Sequence, residues 1–137
     1  MGEITDKLVI ESHLVATVEA RRWAAQHARA AGFDPDAVFA IELAIGEALA
    51  NVIEHSYEGK TGQEIHLTLT IDEAKLCLSI RDFGRKFDKV QYRPPNLNVP
   101  TEGGYGVYLI RRMMDEVNYI DPEGQGTQLD LVKYKSD

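Results

Sequence analysis

Residues 65–81 read IHLTLTIDEAKLCLSIR. Apolar and polar residues alternate strictly over 65–71, which predicts a strand with one packed side and one solvent-facing side. Residues 72–74 favour a turn, after which the alternation resumes over 76–81. The pattern therefore predicts an antiparallel hairpin in a sheet that helices cover on one face only. The solvent-facing side of its first strand would carry His66, Thr68 and Thr70.

The residues before this hairpin predict a strand and two helices. A short strand is expected over 7–12, and Ser12 is placed to cap a helix that runs to about Ala31 and ends at Gly32. A second start signal lies at 34–36, where Asp and Pro precede apolar residues at helical spacing. This long amphipathic helix is expected to end near residue 57, with a glycine at 59 as its stop.

The residues after the hairpin predict one more helix and two more strands. A Pro- and Asn-rich loop at 93–100 precedes a helix over 107–114, and strands follow near 116–120 and 127–134. The predicted order is β, α, α, β, β, α, β, β. Because strands and helices do not alternate regularly, this order predicts an α+β two-layer sandwich with a mixed, mostly antiparallel sheet, and excludes a doubly wound nucleotide fold.

Composition limits the possible classes of protein. The 137 residues suit one domain, and 15 Lys plus Arg against 22 Asp plus Glu give a net charge of -7, which disfavours general nucleic-acid binding. The single cysteine, Cys77, cannot form an internal disulfide, which favours a reducing, cytoplasmic setting. No apolar run approaches the roughly 20 residues that span a bilayer, so no membrane association is expected.

Three polar residues share one stripe of the second predicted helix. Glu47 and Asn51 lie four residues apart, and His55 extends the stripe by another four. Asn is a weak helix former, so its place in mid-helix indicates a function. A solvated helix face is the alternative explanation of the same pattern.

Two polar residues continue the inward parity of predicted strands. Asp82 follows the apolar positions of the hairpin's second strand, and Thr127 shares parity with Leu129 and Leu131 on the last strand. A buried carboxylate needs a hydrogen-bond donor, and an adenine amine is one such donor. The alternative is that Asp82 caps the turn at the following Phe-Gly pair. Together the two inward groups predict a pocket.

Glycines and cations lie close to this pocket along the chain. Gly103, Gly104 and Gly106 precede the third helix, where free backbone amides can bind phosphate, although a flexible loop explains them as well. Five of the 15 basic residues fall within 13 positions, where a solvated edge is the alternative. They are Arg81, Arg85, Lys86, Lys89 and Arg93.

Taken in order, these segments resemble the GHKL superfamily of ATPases and kinases over residues 35–134. Residues 47–55 are similar to its N box, 82–84 to its first glycine box, 103–106 to its second, and 126–127 to its terminal Gly-Thr pair. Four boxes in order at fitting spacing are a specific signal, whereas any one alone is common. Two positions depart from the pattern: the DxGxG box lacks its second glycine, and Val107 stands where the family often has Leu.

Within the superfamily, the short chain and the string from Glu47 to Tyr57 are most similar to bacterial anti-sigma factor serine kinases. This resemblance covers residues 1–137 and implies a single Bergerat-type domain that uses ATP and Mg²⁺. It implies phosphorylation of a serine on a small STAS-type anti-anti-sigma partner, sequestration of a sigma factor in another state, and a homodimer, with no direct contact to nucleic acid or membrane.

The resemblance also implies roles for individual residues. Asn51 would hold Mg²⁺ through its amide oxygen, and Glu47 would be the catalytic base that accepts the proton of the attacking serine. Asp82 would accept from the adenine amine, supported by Thr127, and Gly84 would let the backbone come close.

Gly104 and Gly106 would present amides to the phosphates, and residues 89–102 would form a lid. The remaining nucleotide-binding residues implied by the boxes are His55, Phe87, Gly103, Tyr105 and Val107. Three other functions stay open at this point: a nucleotide-binding anti-sigma module without phosphotransfer, a histidine-kinase-type catalytic domain, and an α+β domain that binds no nucleotide.

Overall fold

The computed structural model describes residues 2–85 and 105–136. Within them the five strands form one sheet of order β1-β2-β3-β5-β4, in which all four neighbouring pairs are antiparallel. The predicted α+β class and element order are confirmed, but the sheet of the described residues is antiparallel throughout and not mixed. The elements are β1 Ile4–Glu11, α1 Leu14–Ala30, α2 Pro35–Asn51, a π-helical turn Val52–Ser56, β2 Glu64–Ile71, β3 Lys75–Asp82, α3 Tyr105–Met113, β4 Glu116–Ile120 and β5 Gln128–Tyr134.

The hairpin of β2 and β3 has the predicted alternation. Leu67 pairs with Ile80 and Leu69 with Leu78, and these side chains are buried against the helices. The intervening residues, including His66, are only half-buried on the opposite face. Because full burial of a Leu or Ile side chain contributes about 1.5–3 kcal/mol, the period of two fixes both the register and the face that the helices cover.

Helix α2 is the central element of the helical layer. Asp34 caps it by accepting a 2.8 Å hydrogen bond from the Ala37 amide, and Pro35 occupies its first turn. Ile41, Ile45 and Leu49 are completely buried. The other side of α2 is less buried and carries polar groups, among them Glu47 and Asn51.

The predicted capping role of Ser12 is wrong. Ser12 is still hydrogen-bonded to the residue that precedes β2: its amide donates to the Gln63 carbonyl at 2.8 Å. Its buried hydroxyl donates to the Lys60 carbonyl at 2.7 Å and accepts from the Gln63 amide at 2.9 Å. The helix therefore begins later, and its cap is His13, whose Nδ1 accepts from the Ala16 amide at 3.2 Å.

The helical segment that begins at Pro35 ends at Ser56, close to the predicted residue 57, but its last turn is not α-helical. Its α-helical part stops at Asn51, and Val52–Ser56 form a π-helical turn. The Tyr57 amide closes this turn by donating to the Val52 carbonyl at 2.9 Å. The chain then reverses at Gly59, which has a φ of +79°. Such wide turns are rare and often occur at functional sites.

Candidate functional site

The second glycine box meets the N box at the start of α3. A Cβ atom at Gly106 would lie 3.1 Å from Asn51 Oδ1 and 3.2 Å from Glu47 Oε2. The backbone of α3 therefore approaches both polar side chains of α2 so closely that a Cβ atom at Gly106 would displace them by a few tenths of an ångström. Asn51 and Gly106, which are 55 residues apart in the chain, therefore lie next to each other.

Glu47 and Asn51 are half-buried on neighbouring turns of α2, as predicted from their spacing. His55 lies within the π-helical turn and is exposed. Because a π-turn is wider than an α-turn, it shifts the residues after it away from the stripe that the four-residue spacing defines. The participation of His55 in nucleotide binding stays a prediction.

Asp82 lies at the end of β3 with its side chain in the interior, as the strand parity predicted. It is 1% exposed. The Gly84 amide donates to Asp82 Oδ1 at 3.0 Å, and the Ser56 side chain also hydrogen-bonds the carboxylate. Burial raises the pKa of Asp82, and these hydrogen bonds oppose that shift only in part. Asp82 therefore also caps the turn that follows it, as the alternative explanation predicted.

The terminal Gly-Thr pair lies directly against Asp82. Thr127 is buried, and its carbonyl accepts from the Asp82 amide at 3.0 Å. Gly126 has a φ of +89°, and a Cβ there would lie 2.6 Å from both the Asp82 carbonyl carbon and Phe83 Cα. Only glycine satisfies this conformation and this approach together. The structure thus joins the first glycine box to the terminal pair.

The π-helical turn is fixed to the first glycine box by its backbone. A Cβ at Gly84 would lie 2.6 Å from the Ser56 carbonyl carbon, and the Arg85 amide donates to the Ser56 carbonyl at 2.6 Å. The buried Tyr57 hydroxyl accepts from the Phe83 amide at 2.8 Å. No role was predicted for Tyr57, although an aromatic residue two positions after the N box was a usable signal.

Several predicted site residues lie outside the described residues or are described only in part. Phe87, Gly103, Gly104, the proposed lid 89–102 and the cations Lys86, Lys89 and Arg93 lie outside them. Tyr105 is the first residue of α3, and Val107 in the same helix is buried. Residues 2–85 and 105–136 contain no group of three or more His, Cys, Asp or Glu that could hold a metal ion. No helix within those ranges is long and apolar enough to cross a membrane.

Comparisons with known proteins agree with the arrangement of the boxes. Residues 10–133 match the histidine kinase-like ATPase domain family. The chain is 34% identical over 100 residues to the anti-sigma F factors of Bacillus thuringiensis (strain Al Hakam) and Bacillus cereus (strain AH187). Each alignment covers 70% of this chain and 68% of the relative.

A solved structure of the RsbU and RsbW domains of a Mycobacterium tuberculosis protein has the same fold. It superposes with a TM-score of 0.68 at 15% identity and covers 96% of this chain. The chain spans 32% of that longer protein. Sequence family, curated relatives and fold agree: the chain belongs to the histidine kinase-like ATPase domain family and is a GHKL protein of the anti-sigma kinase-like kind.

Proposed function

We propose that residues 1–137 form one domain that transfers the γ-phosphoryl group of ATP to a serine of a small STAS-type anti-anti-sigma protein. In its other state the domain binds a sigma factor. The observation that carries this proposal is the approach of Gly106 to both Glu47 and Asn51. It brings the backbone of a helix N-terminus, where amides bind phosphate, next to an oxygen ligand and a carboxylate base.

Adenine recognition is assigned to the end of the sheet. The Asp82 carboxylate would accept from the exocyclic amine of adenine, and buried Thr127 lies beside it. A buried acceptor that reads an amine discriminates strongly, because a base without the amine leaves the acceptor unpaired. The close backbone approaches at Gly84 and Gly126 hold this acceptor in place.

Mg²⁺ is assigned to Asn51, where α2 lies against the start of α3. Asn51 offers a neutral amide oxygen, and the described residues contain no cluster of three acidic or imidazole ligands. An ion held by one protein oxygen takes its other ligands from phosphates and water, which is usual for Mg²⁺ in kinases. When bound, the ion would neutralise charge that develops on the phosphates.

Glu47 is assigned the role of the general base that accepts the serine proton. The serine Oγ attacks the γ-phosphorus, the bond from that phosphorus to the bridging oxygen breaks, and ADP leaves. The hydroxyl proton passes to the Glu47 carboxylate, which is half-buried one turn before Asn51. A positioned base of this kind contributes about 10²–10⁴-fold to the rate.

The test uses labelled ATP, the cognate STAS-type protein and two matched substitutions on α2. Glu47→Gln should lower phosphotransfer at least about 100-fold while leaving ATP affinity nearly unchanged. Glu42→Gln, which removes a carboxylate paired with Arg29 at 3.5 Å elsewhere on the helix, should transfer normally. Phosphoserine is measured by mass spectrometry. Equal transfer by Glu47→Gln would exclude the base assignment, and ATP binding with no phosphoserine would leave a nucleotide-dependent anti-sigma module.

The proposal also includes the partners and the assembly. A switch between a sigma factor and an anti-anti-sigma protein takes place in the cytoplasm, and we propose that the chain is a homodimer there. Light scattering of the purified chain, alone and after addition of each partner, measures both points. A monomeric mass at all concentrations would contradict the homodimer without affecting the kinase assignment.

A further inference from the structure

Three side chains form a contact group on the open face of the sheet, directly behind Asp82. The Arg81 guanidinium lies 4.4 Å from the centroid of the Phe83 ring. The His66 ring meets the same ring edge to face at 5.1 Å. Phe83 is 43% exposed, so it is not part of the core. We call Arg81, Phe83 and His66 the rear clamp.

Arg81 also ties together the two backbone segments that carry the adenine site. Its Nη1 donates to the Asp82 carbonyl and lies 3.5 Å from the Thr127 carbonyl. The regular pairing of β3 with β5 ends at Arg81 and Gln128, so these carbonyls come just after the last pair of the ladder. A single terminal guanidinium nitrogen carries two N–H groups, so Nη1 can approach both carbonyls at once.

The rear clamp does not contact a nucleotide bound at Asp82, because it lies on the opposite face of the sheet. Successive residues of a strand point to opposite faces, so Arg81 lies on the open face whereas Asp82 points into the interior. Arg81 can influence adenine only through the backbone that sets where the Asp82 carboxylate stands. The stacked Phe83 ring restrains the guanidinium from the outside.

We propose that Arg81 is a positioning residue for adenine recognition. From the opposite face of the sheet it fixes the backbone that sets the position of the Asp82 carboxylate. This inference rests on the proposed role of Asp82. It goes beyond that role because it makes a solvent-side residue, outside all four sequence boxes, a determinant of base specificity. The planar guanidinium over the Phe83 ring is required, so Lys at this position would keep the charge and lose the function.

The test compares ATP with inosine triphosphate, which lacks the exocyclic amine, by titration calorimetry. The variants are Arg81→Met and the charge-preserving Arg81→Lys, with Lys75→Met as control because Lys75 lies on the same strand and face at the far end of β3. Both Arg81 variants should bind ATP about tenfold more weakly and inosine triphosphate nearly as before, on the scale of one hydrogen bond to a charged group. The control should match the wild type for both nucleotides.

Asp82→Asn tests the adenine assignment separately from the role of Arg81. If the wild type binds ATP no better than inosine triphosphate, or Asp82→Asn keeps the preference, the adenine assignment fails and the inference fails with it. If Asp82→Asn loses the preference and both Arg81 variants keep it, only the inference fails. Equal weakening of both nucleotides in folded Arg81→Lys, with folding checked by circular dichroism, would show a merely structural role and overturn the proposal.

Discussion

The Tyr57 hydroxyl accepts a 2.8 Å hydrogen bond from the amide of Phe83 and donates its own proton to the carbonyl of Glu64. One buried side chain thus joins the residue after the π-helical turn to the first glycine box and to the start of β2. Burial raises the pKa of Tyr57, so the phenol stays protonated and can donate at neutral pH. This buried contact therefore fixes the backbone next to Asp82 in the candidate site.

Tyr57→Phe should destabilise the protein by about 1–3 kcal/mol, because it leaves an amide and a carbonyl without their partner. Tyr134→Phe is the matched control, since Tyr134 is exposed and its hydroxyl donates to the exposed Glu116. The control should change the free energy of unfolding by less than about 0.5 kcal/mol. Urea unfolding measures both, and equal effects would show that the buried bridge contributes nothing specific.

Gly126→Ala and Gly124→Ala separate backbone strain from steric conflict. Both glycines have a left-handed φ, +89° and +85°, but only at Gly126 would a Cβ strike the Asp82 and Phe83 backbone. Gly124→Ala should cost about 1–2 kcal/mol from the conformation alone. Gly126→Ala should cost at least about 2 kcal/mol more, because backbone must move. Similar midpoints of thermal unfolding for the two variants would contradict this account.

Asp82→Asn should give a stability difference that depends on pH. The native pKa of Asp82 lies above its unfolded value, so its contribution is fully present below the unfolded pKa and is lost as pH rises through the folded pKa. The Asn variant has no charge to bury, so its stability relative to the wild type should increase from pH 4 to pH 8.

Urea unfolding of both proteins at several pH values measures this difference, in which the other carboxylates cancel. A difference that is independent of pH, or that falls with pH, would contradict the burial argument. The same substitution should weaken ATP binding, as expected where a site keeps a destabilising group for its function.

The sequence predicts those parts of the fold in which the spacing of apolar residues shows directly which side chains are buried. Strict alternation over 65–71 fixed the hairpin, and parity placed Asp82 and Thr127 in the interior, where the structure has them. The capping prediction for Ser12 is wrong because capping preference is a local property, whereas the Ser12 hydroxyl donates to the distant Lys60 carbonyl.

Other features required tertiary contacts that no local pattern contains. The π-helical turn after Asn51 depends on the Ser56 carbonyl accepting from Arg85 and on the Tyr57 bridge. The sequence shows Arg81 only as one of several nearby cations. Its hydrogen bonds to two carbonyls become visible only when β3 and β5 are paired.

Gly106→Ala should separate function from stability. A Cβ there would stand 3.1 Å from Asn51 Oδ1 and 3.2 Å from Glu47 Oε2, so both side chains must shift by a few tenths of an ångström. The same change replaces glycine by a better helix former in α3, which favours folding by up to about 1 kcal/mol. We therefore expect unchanged or higher stability together with weaker Mg-ATP binding.

Gly46→Ala is the control for this prediction, because Gly46 is also helical and its Cβ would meet only the flexible Arg21 side chain, at 3.2 Å. That variant should gain similar stability and bind Mg-ATP normally. Thermal unfolding without nucleotide and calorimetric titration with Mg-ATP give the two quantities. If Gly106→Ala binds Mg-ATP as tightly as Gly46→Ala, the contact between the second glycine box and the N box does not shape the phosphate site, and the proposal loses the observation that carries it.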